Sequence, residues 1–209
     1  MGNHSITFTP IRLLHLFIIL QHHLTGALNI VIAGGTGPIG KALIPKLAEH
    51  EVTILCRNAF LAATPSRVSG DYGWLGESFL DRQEHARLRD WDAGDMLDIV
   101  GCDFLGWQED ALKGCDVVVN LVGGFTDQRT KAAERIIREC IRVNPNVFHV
   151  SVSPVVEELG QKIKRNRVQA VEDMYEANCP SYVAVRSEYN RVDDTCNAIT
   201  QAIQKCVNV

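Results

Sequence analysis

The sequence lacks a long apolar run, a Cys-x-x-Cys pair and an excess of basic residues. A transmembrane helix needs about 20 apolar residues, whereas the longest apolar stretch, Ile11 to Leu20, is interrupted by Arg12 and His15. Lys and Arg number 21 against 25 Asp and Glu, a formal net charge of −4, so no broad basic field is available for nucleic acid. We therefore expect no nucleic-acid partner, and membrane contact only through residues 11–20 if at all.

The seven cysteines are an odd number without the spacing of a zinc site, which argues against both a disulfide framework and a bound metal. They are Cys56, Cys102, Cys115, Cys140, Cys179, Cys196 and Cys206. Reduced thiols are typical of the cytoplasm or of an organelle stroma or matrix, and we predict one of these locations.

The composition predicts one folded domain. The chain has 209 residues, of which 46% are hydrophobic and 22% charged, the size and balance of a single globular core. This domain is predicted to span residues 28–209, with a short or absent substrate region. Residues 1–27 are a separate segment with three open interpretations: a targeting or membrane-contacting leader, an extra helix packed on the domain, or a translation start placed too far upstream.

From Leu28 onward, short Val- and Ile-rich runs alternate with helical stretches, a pattern that predicts an α/β fold with a doubly wound parallel sheet. The predicted strands are Asn29–Ala33, Val52–Cys56, Arg87–Trp91, Val117–Val122, Val147–Val152 and Tyr182–Arg186. The predicted helices are Ile39–Glu49, Trp107–Lys113, Asp127–Val143, Lys162–Ala177 and Asp193–Val207.

A glycine-rich turn joins the first strand to the first helix, in the sequence NIVIAGGTGPIG. Gly34 allows a tight turn, Gly37 leaves room for a pyrophosphate, and Gly40 lets the helix pack closely on the sheet. The turn predicts a dinucleotide site at the helix N-terminus; the alternative is a glycine-rich turn with no ligand. The cofactor-binding candidates here are Gly34, Thr36, Gly37, Pro38, Ile39 and Gly40.

The end of the second strand indicates which dinucleotide is bound. An acidic residue there selects NAD, whereas an arginine accommodates the 2′-phosphate of NADP. The strand ends Leu55-Cys56-Arg57-Asn58, without a carboxylate. Arg57 therefore favours NADP, with NAD as the weaker candidate, unless Arg57 is only a solvated surface residue.

Several segments together resemble the extended and atypical short-chain dehydrogenase/reductases and nucleotide-sugar epimerases. They are the Gly-x-x-Gly-x-x-Gly turn, EVTILCRN, RDWD, ALKGCDVVVNLVGG, VFHVSVSP and AVEDMYEANCPSYVAVRSE. The resemblance covers Leu28 to about Glu188 and implies a Rossmann fold that binds NAD(P). It also implies that Asp92 lies near the adenine, and that Val122, Gly123 and Gly124 let the cofactor pass close to the fourth strand.

The same resemblance implies a catalytic serine after the fifth strand, where Ser151 and Ser153 stand, together with a Tyr-x-x-x-Lys pair. That pair is missing. Counting back from Glu172, the lysine position holds Val168 and the tyrosine position holds Lys164. None of the four tyrosines of the chain has a lysine four residues later; they are Tyr72, Tyr175, Tyr182 and Tyr189.

Two functions remain. One is an NADP(H)-binding oxidoreductase or epimerase with altered catalytic groups, in which Lys162 or Lys164 supplies the proton unless both belong to a solvated helix start. The other is a non-catalytic regulatory or scaffold protein that binds NADPH and an unidentified small molecule or protein partner. The missing pair favours the second function, and the many enzymes of the superfamily favour the first.

Overall fold

The computed structural model describes residues 26–56, 86–90, 111–122, 127–155, 162–188 and 190–207. Six strands form one sheet in the order β3-β2-β1-β4-β5-β6, and every neighbouring pair is parallel. The strands are β1 (Asn29–Ala33), β2 (Glu51–Cys56), β3 (Ala86–Asp90), β4 (Val117–Asn120), β5 (Phe148–Pro154) and β6 (Tyr182–Ser187). This order is that of the doubly wound α/β fold, which confirms the predicted fold class.

The helices cover the sheet on both faces. They are α1 (Pro38–Leu43), α2 (Asp127–Val143), α3 (Lys162–Asn178) and α4 (Val192–Val207), and a 3-10 turn, Ile44–Leu47, continues α1. Side chains alternate along each strand. In β1, Ile30 and Ile32 point into a core shared with α1 and α4, while Val31 and Ala33 point into a core shared with α2.

Helix α4 closes the first of these cores. Its buried residues, among them Cys196, Ile199 and Ile203, recur at helical spacing and pack against α1 and the central strands. The Cys196 thiol also donates to the carbonyl oxygen of Ile39 in α1 over 3.6 Å. The last helix of the chain therefore supports the helix that follows the glycine-rich turn.

Several predicted boundaries differ from the structure by one or two residues, and the ends of the first helix and of the fourth strand differ for a local reason. The helix predicted over Ile39–Glu49 ends as an α-helix at Leu43, because Pro45 has no N–H and its ring is incompatible with continuing the α-helix. The strand predicted to reach Val122 ends at Asn120, whose Oδ1 accepts a hydrogen bond from the Val122 amide over 3.0 Å. The helix predicted over Trp107–Lys113 lies mostly outside the described residues.

No helix in the described part of the chain is long and apolar enough to cross a membrane. Among the same residues there is no group of three or more His, Cys, Asp or Glu side chains placed to hold a metal ion. Cys115, Cys140, Cys179, Cys196 and Cys206 are free thiols. Burial raises the pKa of Cys115 to about 12 and that of Cys179 to about 11, so these two thiols stay protonated at neutral pH.

His149 in β5 is a buried titratable group. Only 3% of its surface is exposed, and its ring lies 5.5 Å from that of Tyr175. Burial lowers the pKa of His149 from 6.5 to about 4. Between these two pH values the imidazole is neutral in the folded protein and protonated in the unfolded chain.

We predict that the free energy of unfolding falls as the pH drops from 6.5 towards 4, because the unfolded state then binds a proton that folded His149 does not. At about 1.4 kcal/mol for each pH unit between the two pKa values, His149 accounts for roughly 3 kcal/mol. Urea denaturation at a series of pH values should show this loss in the wild type and much less of it in His149→Phe. If the free energy of unfolding depended on pH in the same way in both proteins, this role of His149 would be contradicted.

Candidate functional site

The strand order predicts a crevice at the carboxyl edge of the sheet, between β1 and β4. The chain runs from β1 towards β2 on one side, and from β4 towards β5 on the other, so the two connections leave the edge in opposite directions. In open α/β sheets such a switch point is where ligands bind. The glycine-rich turn and residues 121–122 border the crevice, and the Leu121 amide donates to the Ala33 carbonyl over 2.8 Å.

Gly34 begins the turn in a backbone conformation that side chains disfavour. Its φ is +76°, and a Cβ placed there would lie only 3.1 Å from the backbone nitrogen of Val122. The Gly34 amide donates to the carbonyl oxygen of Leu55 in β2 over 3.1 Å. Gly34 therefore allows the chain to leave β1 sharply while touching the ends of both neighbouring strands.

Gly37 and Gly40 differ in what surrounds them. A Cβ on Gly40 would collide with the backbone of Gly35, including its Cα at 2.6 Å, whereas a Cβ on Gly37 would meet nothing closer than the Gly34 carbonyl oxygen at 3.7 Å. The backbone of Gly37 is also extended, at φ −76° and ψ 178°, which any residue can adopt. The protein itself therefore needs a glycine at position 40, and not at position 37.

The first turn of α1 faces the crevice with its backbone amides. Pro38 is the first helical residue, one before the predicted start at Ile39, and the first intrahelical bond runs from the Lys41 amide to the Gly37 carbonyl over 2.9 Å. The amides of Ile39 and Gly40 precede that bond, and by helix geometry they have no intrahelical acceptor. Thr36 lies in the turn itself and is partly buried.

Four predicted cofactor residues, Arg57, Asp92, Gly123 and Gly124, lie outside the described part of the chain, as do Tyr72 and Tyr189. Strand β2 ends at Cys56, and Leu55 lies opposite Ala33 in the sheet register.

Ser151 and Ser153 lie on the face of β5 that α2 and α3 cover. Their surfaces are 1% and 0% exposed. Ser151 pairs in register with Asn120 of β4, and Ser153 with Arg186 of β6. Both candidate catalytic serines are therefore inside the protein, with Ser153 nearer the carboxyl edge.

Ser153 contacts a residue that the sequence analysis missed, Arg129 in the first turn of α2. Nη2 of Arg129 donates to Ser153 Oγ over 2.8 Å and to the carbonyl oxygen of Val152 over 3.0 Å. Arg129 is only 3% exposed, and burial lowers the pKa of its guanidinium, opposed by the charge of Glu172. A buried arginine thus connects α2 to the end of β5.

A polar layer continues from Arg129 between the sheet and helix α3. Arg186 binds both carboxylate oxygens of Glu172, through a Nη1–Oε1 contact and a Nη2–Oε2 contact of 2.8 Å. The Glu172 side chain is 5% exposed and that of Arg186 is 44% exposed. The pairing is the two-pronged geometry of a charge-assisted hydrogen bond and fixes α3 against β6.

The two described tyrosines, Tyr175 and Tyr182, are part of the same layer. Their rings stack at 4.9 Å with 8° between their planes, and Tyr175 Oη accepts a hydrogen bond from Asn120 Nδ2 over 3.0 Å. Burial raises the pKa of Tyr175 well above its usual value and that of Tyr182 to about 12. Neither phenol has the lowered pKa of a catalytic acid.

The positions that hold the tyrosine and lysine in the resembled family carry other groups here. Val168 is fully buried in α3, Lys164 is partly buried one turn before it, and Lys162 is exposed. Asn120 could have been singled out in the sequence as the polar residue that ends a run of three valines. Arg129 carried no such signal, because its partner lies 24 residues away.

No protein-family model matches the sequence, and no curated protein matches it either. Solved structures do match the fold. Pen from Bacillus thuringiensis has a TM-score of 0.59 at 10% identity, over 87% of this chain and 66% of its own. An NADH-dependent reductase, A1-R', solved with NAD, has a TM-score of 0.57 at 14% identity, over 84% and 88%. The NADPH-dependent quinone oxidoreductase QOR2 of Escherichia coli, solved with NADPH, has a TM-score of 0.51 at 18% identity, over 76% and 48%.

At these identities the likeness concerns the fold, and the chain therefore has a Rossmann fold like those of the two reductases. It spans about two thirds of the length of Pen and about half that of QOR2.

We predict that Gly40→Ala lowers the free energy of unfolding and that Gly37→Ala leaves it almost unchanged. The methyl group at position 40 meets the Gly35 backbone, which cannot move aside as a flexible side chain can, so we expect a loss of about 1–3 kcal/mol or more. The methyl group at position 37 meets open space, and the free energy of unfolding should change by less than about 1 kcal/mol. Urea denaturation of both variants measures the difference, and equal losses would contradict the assignment.

Proposed function

We propose that the chain is an NADP(H)-binding protein of the atypical or extended short-chain dehydrogenase/reductase type, an oxidoreductase or epimerase with altered catalytic groups. The observation that carries this proposal is the open space beside Gly37 in the glycine-rich turn. The space beside Gly40, by contrast, is occupied by the backbone of Gly35. The fold shared with QOR2 and with the NADH-dependent reductase, both solved with a nicotinamide dinucleotide, supports it.

The pyrophosphate of the dinucleotide would lie over Gly37. Its oxygens need hydrogen-bond donors, and the amides of Ile39 and Gly40 at the start of α1 are such donors. Val122, whose backbone meets Gly34, would border the bound dinucleotide from the β4 side. Gly123, Gly124 and Asp92 are proposed to line the rest of the site.

The preference for NADP(H) over NAD(H) rests on Arg57. This residue directly follows β2, whose end lies beside that of β1, and no carboxylate stands in the segment Leu55–Asn58. A guanidinium binds a phosphate through charge-assisted hydrogen bonds, whereas a ribose hydroxyl gains much less from a fixed positive charge.

We predict that wild-type protein binds NADPH about ten- to a hundredfold more tightly than NADH, because a charge-assisted contact contributes roughly 1.5–3 kcal/mol. Calorimetry with both dinucleotides measures this ratio. In Arg57→Ala the two affinities should become similar, through loss of affinity for NADPH alone. Equal affinities in the wild type would refute the preference for NADP(H).

Gly37→Val tests where the dinucleotide binds, independently of which dinucleotide is preferred. Its side chain occupies the proposed path of the pyrophosphate and not a protein contact, so it should abolish binding of both dinucleotides while the protein still unfolds cooperatively. A Gly37→Val protein that binds NADPH normally would refute the location, whatever the behaviour of Arg57→Ala.

A second candidate function is a non-catalytic regulatory or scaffold protein that binds NADPH together with a small molecule or a protein partner. The observation in its favour is that Ser151 and Ser153 are both buried, without the tyrosine and lysine pair that the resembled enzymes carry. Tyr175, the one tyrosine on α3, has its hydroxyl bonded to Asn120 inside the core.

We predict that NADPH oxidation in the presence of simple ketones is slow. A general acid contributes on the order of a hundred- to ten-thousandfold to such reactions, and neither Tyr175 nor Tyr182 has a suitable pKa. The decrease in absorbance of NADPH measures the rate. Robust turnover that disappears in Tyr72→Phe or Tyr189→Phe would instead establish an ordinary reductase and exclude the non-catalytic function.

A further inference from the structure

A cavity lies at the amino edge of the sheet, opposite to the edge that carries the glycine-rich turn. Its volume is about 170 Å³, roughly the liquid volume of five or six water molecules. Its walls are the first halves of β1 and β2 and the segment that precedes β4, residues 111–115. This amino-edge cavity is therefore separate from the proposed dinucleotide site, and its volume suits a molecule of a few non-hydrogen atoms.

The exposed rim of the amino-edge cavity carries two opposite charges. Glu51 is the first residue of β2, and Lys113 lies just before β4; both side chains are exposed and both line the cavity. A carboxylate accepts hydrogen bonds, and an ammonium group donates them. A ligand with one positive and one negative group therefore finds an opposite charge for each, whereas a ligand with a single charge also meets a like charge.

The floor of the cavity is buried and largely apolar. Val31 and Thr53 lie side by side in the register of β1 and β2, and Ala111 and Cys115 complete the floor. The Cys115 thiol donates to the carbonyl oxygen of Val117 over 3.1 Å, so its hydrogen is already bonded within the protein. The floor therefore offers methyl groups to an apolar part of a ligand.

The rim and the floor together define the chemistry of a ligand. It needs a negative group, a positive group and a short apolar group within a volume of about 170 Å³. In an α-amino acid, the carboxylate, the ammonium and the side chain all branch from one carbon. A small aliphatic amino acid can thus direct both charges to the rim while its side chain contacts the floor.

We propose that the amino-edge cavity binds a small aliphatic α-amino acid. Lys113 binds its carboxylate, Glu51 binds its ammonium, and Val31 and Ala111 contact its side chain. Binding is non-covalent and changes no bond. This site goes beyond the proposed function, because dinucleotide binding at the carboxyl edge uses none of these residues.

NMR titration of the full-length protein, with carbon-labelled alanine methyl groups and without dinucleotide, tests the site. The Ala111 methyl signal, assigned by its loss in Ala111→Gly, reports on the cavity, and that of Ala33, at the other end of β1, is the internal control. The probes are L-valine, isovalerate, which lacks the ammonium, and isobutylamine, which lacks the carboxylate. We expect L-valine to shift the Ala111 signal saturably and not that of Ala33. Isovalerate and isobutylamine should each bind about three- to tenfold more weakly than L-valine.

Two variants should change the affinities for the three probes in opposite patterns. Lys113→Met removes the charge and keeps an aliphatic stem, so it should weaken L-valine and isovalerate by about three- to tenfold and leave isobutylamine unchanged. Glu51→Gln should weaken L-valine and isobutylamine and leave isovalerate unchanged. Lys46→Met is the matched control, because Lys46 belongs to the 3-10 turn on the other face of the sheet, and it should leave all three affinities unchanged.

Several results would overturn the amino-acid site. These are the absence of a saturable shift with L-valine, and wild-type affinity for L-valine in either Lys113→Met or Glu51→Gln. Isovalerate that binds as tightly as L-valine would replace the amino acid with a simple anion, and isobutylamine that does so would replace it with a simple cation. If a variant does not fold, the comparison of the three probes on the wild type decides the matter. Because no dinucleotide is present, none of these results bears on the proposed function, and failure to bind NADPH would leave the amino-acid site unaffected.

Discussion

The backbone of Gly35 and the Cα of Gly40 lie so close together that no side chain fits between them, and the rest of the crevice depends on this contact. It brings the start of α1 directly against the end of β1, so the amides of the first helical turn face the carboxyl edge of the sheet. Helix α4 supports this arrangement from outside, since Cys196 bonds to the Ile39 carbonyl and the buried stripe of α4 packs on α1. A small steric constraint therefore fixes the start of α1 against the end of β1.

The two faces of the sheet have different physical character. The face under α1 and α4 is lined by aliphatic side chains such as Ile32 and Val119. The face under α2 and α3 carries, towards β5 and β6, a layer of buried polar groups that includes Ser153, Arg129 and Glu172. Apolar contacts on the first face do not depend on the direction of each side chain. Hydrogen bonds on the second face are directional, so each polar group there must have one defined orientation.

Much of the fold could be predicted from local sequence. The bounds of β1 and α2 agree with the prediction to the residue, because an uninterrupted apolar run and a long amphipathic repeat are strong signals. The predicted α1 is too long because the apolar pattern continues through Ile44 and Leu47, whereas Pro45 ends the α-helix. The glycine-rich turn was found because its residues are contiguous. The pairing of Arg129 with Ser153 was not predictable, because it joins a helix to a strand 24 residues away and depends on how α2 lies on the sheet.

The contrast between Gly37 and Gly40 separates the requirements of folding from those of binding. Position 40 is constrained by the protein interior, and a chain that had lost every ligand would still have to keep a glycine there. Position 37 has no such constraint, because a side chain there meets no protein atom closer than the Gly34 carbonyl oxygen at 3.7 Å. Of these two glycines, only the one at position 37 can therefore be replaced without a clash inside the protein.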